Sequence, residues 1–421
     1  MKTLAALLLW AVSPVLSQAE QPRPIRELPL AKPAAVGMSS DKLELVDDKV
    51  NELIARNRLA GAAVVITRRG KLVYNKSFGL RDIENRIPME NDAIFRIFSM
   101  TKAITSAAAM MLADEGKLHI KDPVSNYLPE FKNARVWKNG KAVAPDNPPT
   151  IKDLLRHTTG YSYGSTGIPE IDKLHRQAGP LVEDEPLAEF CTRMVKVPMA
   201  FEPGEGWLYG ISTDLLGAVI QNVSGVPLGQ FFQQRLFKPL GMIDTDFVIP
   251  EAKRERMAVV YNSNGQGLLT RNDRNLFSYS SRTKMRSGGG GLASTIRDYT
   301  RFLQMIANGG ELHGQRFLKK ETVAEMTRNQ LEGPAMPIRF PNNVRHGTGF
   351  GLGFCVKVAQ TNWNKAGRLG EYGWGGMLST HFWVSPRDEL VVITMEQTFP
   401  YGFMLEDALK PLIYDAIESI R

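Results

Sequence analysis

Ser99-Met100-Thr101-Lys102 begins an apolar run, Ala103 to Leu112, and decides how the 421-residue sequence is interpreted. If the run is helical, Ser99 and Lys102 lie three positions apart on one face, so the hydroxyl and the ammonium can meet. A serine becomes an effective nucleophile when a neighbouring base takes its proton, and a lysine can be that base if burial or another cation lowers its pKa. The helix N-terminus would also place backbone N–H groups near developing negative charge. The stretch therefore predicts a nucleophilic serine on a rigid, partly buried element.

The same S-x-x-K pattern occurs twice more, so its surroundings must identify the copy that matters. Ser39-Ser40-Asp41-Lys42 precedes an amphipathic pattern, which predicts that Ser39 or Ser40 caps a helix over about 41–57. Ser281-Arg282-Thr283-Lys284 lies among polar residues with no apolar run, which predicts an exposed loop. Only Ser99 lies between apolar segments. This context singles out Ser99 among the three copies and leaves two interpretations open for it, a nucleophile and an ordinary helix start.

Residues 1–19 have the pattern of a secretory signal peptide. Met1-Lys2 precedes an apolar run, Leu4 to Leu16, and Ser17-Gln18-Ala19 suits cleavage after Ala19. The run is short for a bilayer span, which disfavours a membrane anchor, and no later segment has the length and apolarity of a span. We therefore expect an exported protein, periplasmic or secreted, without stable membrane insertion.

The composition predicts a soluble globular protein, with 43% hydrophobic and 23% charged residues. Removal of residues 1–19 lowers the net charge only from +8 to +7, and the basic residues are spread out without a nucleic-acid motif. Cys191 and Cys355 form no C-x-x-C, which leaves open one disulfide or two buried thiols. The six histidines lack metal-site spacing, so we expect neither a metal nor another cofactor.

The apolar pattern predicts strands near both ends of the chain and helices between them. Ala62–Thr67 and Leu72–Ser77 predict a hairpin that turns at Arg69-Gly70. Further strands are predicted at Gly351–Lys357, Ser379–Val384 and Leu390–Met395. Helices are predicted at Lys152–His157, Leu187–Val195, Thr213–Val223, Leu228–Phe237, Thr295–Ala307 and along a stripe from Leu405 to Ile417.

These elements predict an α/β fold of the α+β type. An antiparallel sheet built from both termini would be flanked by helices, with a largely helical lobe inserted. We predict one domain over residues 20–421, with its sheet part at about 35–100 and 290–421 and its helical lobe at about 101–289.

A second serine lies in Gly160-Tyr161-Ser162-Tyr163-Gly164, which matches the G-x-S-x-G elbow of α/β-hydrolases. That elbow needs a strand before the serine and a helix after it. Here a predicted helix end, Leu154 to His157, precedes the motif, and turn-forming residues follow it. We therefore predict that Ser162 belongs to a loop and that His157 packs against or caps the helix end.

Two later segments could complete a site around Ser99. Tyr209 ends a turn-rich loop, Phe201 to Tyr209, from which its phenol could shuttle a proton; otherwise it is a half-buried aromatic residue. Tyr372 to Met377, with the sequence YGWGGM, precedes a predicted strand, and its glycines would let a substrate carbonyl approach backbone N–H groups. A simple bulge or turn is the alternative there.

With these segments in this order, the chain resembles the serine β-lactamase and penicillin-binding-protein-like superfamily, whose signature is S-x-x-K, S-D-N and K-T-G. It is most similar to the class C β-lactamase-related branch, which includes family VIII carboxylesterases and small-molecule acyltransferases and carries Y-x-N or Y-S-x in place of S-D-N. The resemblance covers about residues 35–421. It is supported by the phrases at 154–160, 201–209 and 289–292, together with Ser294 and Asp298.

The resemblance implies a role for each matched residue. Ser99 would attack the substrate carbonyl and form an acyl-enzyme, while Lys102 and Tyr209 would act together as base and then acid. The backbone N–H groups of Ser99 and Met377 would form the oxyanion hole. The substrate would lie against Trp374, Gly375 and Gly376.

Departures from the signature indicate the substrate class. Tyr209-Gly210-Ile211 lacks the terminal Asn of Y-x-N, and Trp374-Gly375-Gly376 replaces K-T-G, which removes the cation and the hydroxyl that hold a β-lactam carboxylate. We therefore expect a carboxylic ester or a related small acyl substrate. A weak β-lactamase or D-amino-acid peptidase of the cell envelope, and an inactive envelope-binding protein, stay open as alternatives. The acyl and alcohol preference, the acceptor and the oligomeric state stay undetermined at this stage.

Overall fold

An eight-stranded antiparallel sheet forms the centre of the computed structural model, which describes residues 26–179, 181–273 and 278–418. The predicted signal peptide at 1–19 lies outside the described residues. The strands of the sheet are β1 (Gly61–Arg68), β2 (Lys71–Asp82), β3 (Ile87–Pro88), β4 (Thr348–Phe350), β5 (Cys355–Lys357), β6 (Tyr372–Gly376), β7 (Thr380–Ser385) and β8 (Leu390–Met395). Their order is β4-β5-β6-β7-β8-β1-β2-β3, so the sheet is built from both ends of the chain, as predicted.

The predicted hairpin joins β1 to β2 through a two-residue turn. Arg69 has φ 52° and Gly70 has φ 71°, and positive φ at both central residues matches the right-handed twist of the flanking strands. β1 then pairs with β8 from Ala63↔Met395 to Arg68↔Leu390, which joins the N-terminal hairpin to the C-terminal strands.

Twelve helices are described between and around these strands. They are α1 (Ser40–Ala55), α2 (Thr101–Asp114), α3 (Ile151–Arg156), α4 (Pro169–Ala178), α5 (Leu187–Met194), α6 (Ser212–Ser224), α7 (Leu228–Phe232), α8 (Lys238–Leu240), α9 (Glu251–Arg254), α10 (Ile296–Ala307), α11 (Lys320–Met326) and α12 (Met404–Asp415). Ser39 is the N-cap of α1 and accepts a hydrogen bond from the backbone N–H of Lys42, as predicted. Helices α2 to α9 fall within 101–289; the proposed division into a sheet part and a lobe stays a prediction.

Helices cover both faces of the sheet and create two hydrophobic cores. On one face, Val64 and Ile66 of β1 pack with α1 and α12. On the other face, Ala63 and Val65 pack in the larger core, which includes residues of α2 and α10. Because neither face meets solvent, β1, β7 and β8 are buried along their whole length.

The structure corrects two element predictions. The predicted strand Gly351–Lys357 is interrupted, because Gly351 donates its N–H to the carbonyl of Phe354 in a turn where Gly353 has φ 98°; only Cys355–Lys357 is extended. The predicted helix Leu228–Phe237 changes to π geometry at Gln233–Phe237 before α8. Cys191 and Cys355 are both free thiols.

No single helix in the described ranges is long and apolar enough to cross a membrane. The pair Ser212–Ser224 and Leu228–Leu240 meets the length and composition limits only when taken together, across a bend of 76°.

Candidate active site

Ser99 lies in a short 3₁₀ turn, Phe98–Met100, that leads directly into α2. Phe98 has φ 40°, a left-handed conformation that costs free energy for a bulky residue and is found mainly at functional sites. The end of β6 approaches this turn closely: a Cβ at Gly376 would stand 2.3 Å from the carbonyl oxygen of Ile97. Ser99 is therefore held between the first turn of α2 and the end of β6.

The structure brings Lys102 and Ser99 together as the spacing predicts. The Lys102 side chain is 1% exposed, and its Nζ lies 3.2 Å from Ser99 Oγ. The same ammonium donates to the hydroxyl of Tyr163 at 3.1 Å and to the carbonyl oxygen of Gly289 at 2.6 Å. These three partners use all three N–H donors of a charged lysine.

Tyr163 and Asp214 extend this network, and the sequence interpretation missed both. The Tyr163 hydroxyl donates to Asp214 Oδ2 at 3.2 Å. The other oxygen of Asp214 accepts from the Ser287 hydroxyl and, at 3.0 Å, from the N–H of Gly289. Burial raises the pKa of Asp214, although the nearby Lys102 cation opposes this. Burial and the Asp214 carboxyl raise the pKa of Tyr163 well above its usual range, so this phenol keeps its proton.

Weak signals for these residues do exist in the sequence. Tyr163 belongs to the G-x-S-x-G segment, which was considered only for its serine. Asp214 is a carboxylate next to Leu215 and Leu216 in an apolar helix, and a charged residue in such a position needs a partner when buried. Gly289 lies in a glycine-rich loop, residues 287–292 with the sequence SGGGGL, where a Cβ would meet Asp214 Oδ2 at 2.4 Å.

Tyr209 reaches Lys102 through its ring and not through its hydroxyl. Lys102 Nζ lies 4.6 Å from the centre of the Tyr209 ring, a cation–π arrangement. The Tyr209 hydroxyl accepts a hydrogen bond from the indole Nε1 of Trp374 at 3.3 Å. Two tyrosines therefore flank the lysine, and only Tyr163 forms a hydrogen bond with its ammonium.

An aromatic wall borders the site, formed by Trp207, Tyr209, Phe340, Phe350 and Trp374. The Trp374 ring lies 5.3 Å from that of Tyr209 and 5.2 Å from that of Phe350, between ring centres. These contacts make the boundary of the site apolar where K-T-G would supply a cation and a hydroxyl.

His157 packs behind this wall as the C-cap of α3, with φ 60°, in agreement with the prediction that it packs against or caps a helix end. Its ring centre lies 5.0 Å from that of Tyr209. Burial, and secondarily the Lys102 cation, lower the pKa of His157 well below its usual range, so the ring is neutral.

The glycines of β6 are required by close packing. A Cβ at Gly375 would stand 2.6 Å from Cδ2 of His381, which is its partner on β7. Together with the contact of Gly376 to Ile97, this places the first residue after the strand, Met377, beside the turn that carries Ser99.

Ser162 has a structural use of its own. Its Oγ accepts hydrogen bonds from the N–H groups of Gly164 at 2.9 Å and Ser165 at 3.2 Å, and helix α3 rather than a strand precedes it. Ser281 is exposed. Within the described ranges, no group of three or more His, Cys, Asp or Glu side chains could hold a metal ion.

The chain is similar in sequence and in fold to several known proteins. A family model described as Beta-lactamase matches residues 46–412. Esterase EstB of Burkholderia gladioli is 30% identical over 408 residues, which are 91% of this chain and 98% of that protein. Lovastatin esterase of Penicillium rubens is 30% identical over 378 residues, 82% of this chain and 90% of that protein. The solved structure of EstCE1, described as a hydrolase with promiscuous acyltransferase activity, shares the fold with a TM-score of 0.77 at 24% identity, and the match covers 90% of this chain and 98% of that one.

Proposed function

The chain belongs to the beta-lactamase family and is a serine hydrolase; from this premise we propose that it cleaves carboxylic esters through an acyl-enzyme on Ser99. The observation that carries the proposal is the distance of 3.2 Å between Lys102 Nζ and Ser99 Oγ at the start of a buried helix. A base within hydrogen-bond reach of a serine hydroxyl is the requirement for nucleophilic catalysis by that serine.

The reaction would proceed in two steps. Ser99 Oγ attacks the ester carbonyl carbon while its proton passes to the Lys102–Tyr209 pair, which enters this step with one proton fewer than an ammonium and a phenol together carry. The pair then gives that proton to the departing alcohol. Water then attacks the acyl-enzyme, and the carboxylic acid departs as Ser99 regains its proton. The N–H groups of Ser99 and Met377 would stabilise the oxyanion in both steps.

The two tyrosines would have different tasks. Tyr163 donates a hydrogen bond to Asp214 and accepts one from Lys102, so it would hold the ammonium in place. The Tyr209 hydroxyl accepts only from Trp374 among the described residues, and so its own proton stays available for exchange with the substrate. We therefore assign proton transfer to Tyr209 and positioning to Tyr163.

Esters fit the boundary of the site better than lactams do. Trp374 and Phe350 pack against each other where the K-T-G motif would supply a cation and a hydroxyl, so a β-lactam carboxylate at that position would lack these two partners. The names of the relatives EstB and lovastatin esterase also support ester substrates.

A substrate panel tests the proposal. Short-chain p-nitrophenyl esters and a chromogenic cephalosporin are compared on wild type, Ser99→Ala and Ser162→Ala, and labelling by a fluorophosphonate probe is followed in parallel. We expect ester turnover and labelling that vanish only in Ser99→Ala. Faster turnover of the cephalosporin would favour the lactamase alternative, and activity lost only in Ser162→Ala would contradict the mechanism.

We also propose that the protein is exported to the periplasm or beyond, on the basis of the pattern in residues 1–19. Fractionation of expressing cells, followed by sequencing of the mature N-terminus, provides the test. A cytoplasmic protein that keeps Met1 would contradict export, whereas a mature chain that begins at Glu20 is expected.

A further inference from the structure

A cavity of about 740 Å³ adjoins the candidate active site at strand β6. It lies between β6, β7, α12 and the segment 362–366, and it shares Trp374 and Gly375 with the site described above. Side chains of very different character line it, notably Arg345, Lys357, Trp363, His381, Tyr401 and Phe403. We refer to it as the Arg345 cavity.

Arg345 is buried here without a direct ion pair among the described residues, although the Glu406 carboxylate lies close enough to interact with its charge. Its side chain is 7% exposed and forms no ion pair with any carboxylate in the described ranges, and its Nε has no hydrogen-bond partner. One terminal nitrogen donates to the Tyr401 hydroxyl at 3.5 Å, which is a long bond. A guanidinium carries five N–H donors, and the described residues accept from only one of them, so this guanidinium forms few of the hydrogen bonds that it could form.

Aromatic rings surround the same guanidinium. Its Cζ lies 4.5 Å from the ring centre of Phe340, 5.0 Å from Phe403, 5.2 Å from Trp374 and 5.4 Å from Trp363. Cation–π contacts offset part of the cost of burying a charge. The aromatic rings contact the two faces of the planar guanidinium, whereas the N–H groups at the edge of the guanidinium still require hydrogen-bond acceptors.

The remaining charges of the cavity leave it with an excess of one positive charge, because four cations line it against three carboxylates. Lys410 binds Glu371 at 2.7 Å and Glu406 at 2.6 Å, so one cation pairs with two buried carboxylates and this triad keeps one negative charge. Among the described residues, Lys357 donates only to the backbone carbonyl oxygens of Trp363 and Asn364.

Other titratable groups do not change this balance. Burial lowers the pKa of His381 to about 4, so its ring is neutral and shares a hydrogen bond with Tyr401 at 3.2 Å. Asp407 and Lys365 are exposed lining residues and carry opposite charges.

We propose that the Arg345 cavity binds a small, flat organic carboxylate. The two carboxylate oxygens would accept from the edge of the Arg345 guanidinium, the geometry that makes arginine the preferred partner of this group. The body of the ligand would stack against Trp363 and Phe403. This site goes beyond ester cleavage, because its recognition chemistry does not involve Ser99.

Binding of benzoate and of its neutral isostere benzamide tests the proposal. Both are titrated by calorimetry into Ser99→Ala protein, so that no turnover can interfere and the result does not depend on the proposed esterase activity. We expect benzoate to bind at least about tenfold more tightly than benzamide, because only benzoate satisfies the charge and the donors of Arg345.

Two substitutions locate the site. Arg345→Gln should weaken benzoate at least about tenfold, to the level of benzamide, while Arg345→Lys should retain part of the affinity because it keeps the charge and loses the fork. Arg339→Gln is the matched control, since it removes an exposed arginine from the same region and should leave affinity unchanged. If Arg345→Gln does not fold, the proposal is still tested by the ratio of benzoate to benzamide affinity and by the benzoate affinity of Arg345→Lys. Equal affinity for the two probes, or unchanged benzoate binding in Arg345→Gln, would overturn the proposal.

The carboxylate can be free or part of an ester substrate, and kinetics on wild type separates these sources. Competitive inhibition of p-nitrophenyl acetate hydrolysis by benzoate would place the carboxylate on the path of the substrate. Binding of benzoate with an unchanged KM would assign the cavity to a separate ligand. Both results presuppose that Arg345 holds a carboxylate.

Discussion

Lys102 and Arg345 are two buried cations on either side of the Tyr209–Trp374 pair, and they differ in how many of their N–H donors have a hydrogen-bond acceptor. Lys102 has an oxygen acceptor for each of its N–H donors. Arg345 has ring faces around it, one long hydrogen bond and a donor without a partner. A closed network of hydrogen bonds fixes a cation for use within the protein, whereas an unsatisfied buried donor favours an acceptor brought by a ligand.

Removal of Lys102 is the strongest test of the closed network. Lys102→Met should lower ester turnover about 10,000-fold, because Ser99 loses its base and general acid–base catalysis contributes up to that factor. Initial rates with a p-nitrophenyl ester measure the effect. Lys284→Met is the matched control, since it alters the lysine of the exposed S-x-x-K copy. Comparable losses in both variants would show that the effect is not specific to the network.

Substitutions of the two tyrosines beside Lys102 separate proton transfer from positioning within the same network. Tyr209→Phe should lower kcat about 1,000-fold if this phenol transfers the proton. Tyr163→Phe should lower kcat less than about tenfold and reduce the free energy of unfolding by about 1–2 kcal/mol, because Asp214 loses one donor. Turnover and urea unfolding of both variants give the comparison. The reverse ranking of kcat would transfer the catalytic role to Tyr163.

The sequence predicts the parts of this arrangement that depend on local spacing. Arg69-Gly70 indicates a hairpin because a two-residue turn requires positive φ there, and the spacing of Ser99 and Lys102 indicates one helix face. The fold class follows from the order of such elements along the chain.

Contacts between distant segments could not be predicted in the same way. Tyr163, Asp214 and Gly289 meet at Lys102 only after three loops and helices have packed together. Arg345 is buried by rings at positions 340, 363, 374 and 403, none of which is its neighbour in sequence. Hydrophobic periodicity carries no information on such polar contacts, because it reports which face is buried and not which groups meet there.

Glu396 extends the comparison to a buried acid. It is 1% exposed, its Oε2 has no hydrogen-bond partner within the described ranges, and burial raises its pKa to about 7 from the usual 4.5. A folded-state pKa above the unfolded value means that the contribution of Glu396 to stability is complete below about pH 4.5 and is lost as the pH rises to about 7. The upper limit of this loss is about 3 kcal/mol.

Urea unfolding at pH 4.5, 5.5 and 7 tests this. Glu396→Gln should remove the corresponding decline in the free energy of unfolding, whereas Glu321→Gln, at an exposed position, should keep it. Parallel curves for wild type and Glu396→Gln would show that the carboxyl titrates alike in the folded and unfolded protein.

Trp374 contacts both regions, Tyr209 on one side and Arg345 on the other, and Trp374→Phe separates these two contacts. The substitution removes the indole N–H that donates a hydrogen bond to the Tyr209 hydroxyl, and it keeps an aromatic ring beside Arg345. Loss of one hydrogen bond of about 1 kcal/mol should reduce kcat about fivefold. Benzoate affinity should change less than about twofold, because a phenyl face still contacts the guanidinium. Rates with a p-nitrophenyl ester and calorimetry with benzoate, both on folded protein, measure the two quantities. If kcat and benzoate affinity fall in parallel, Lys102 and Arg345 belong to a single site. The two cations would then lie at the two ends of one substrate pocket.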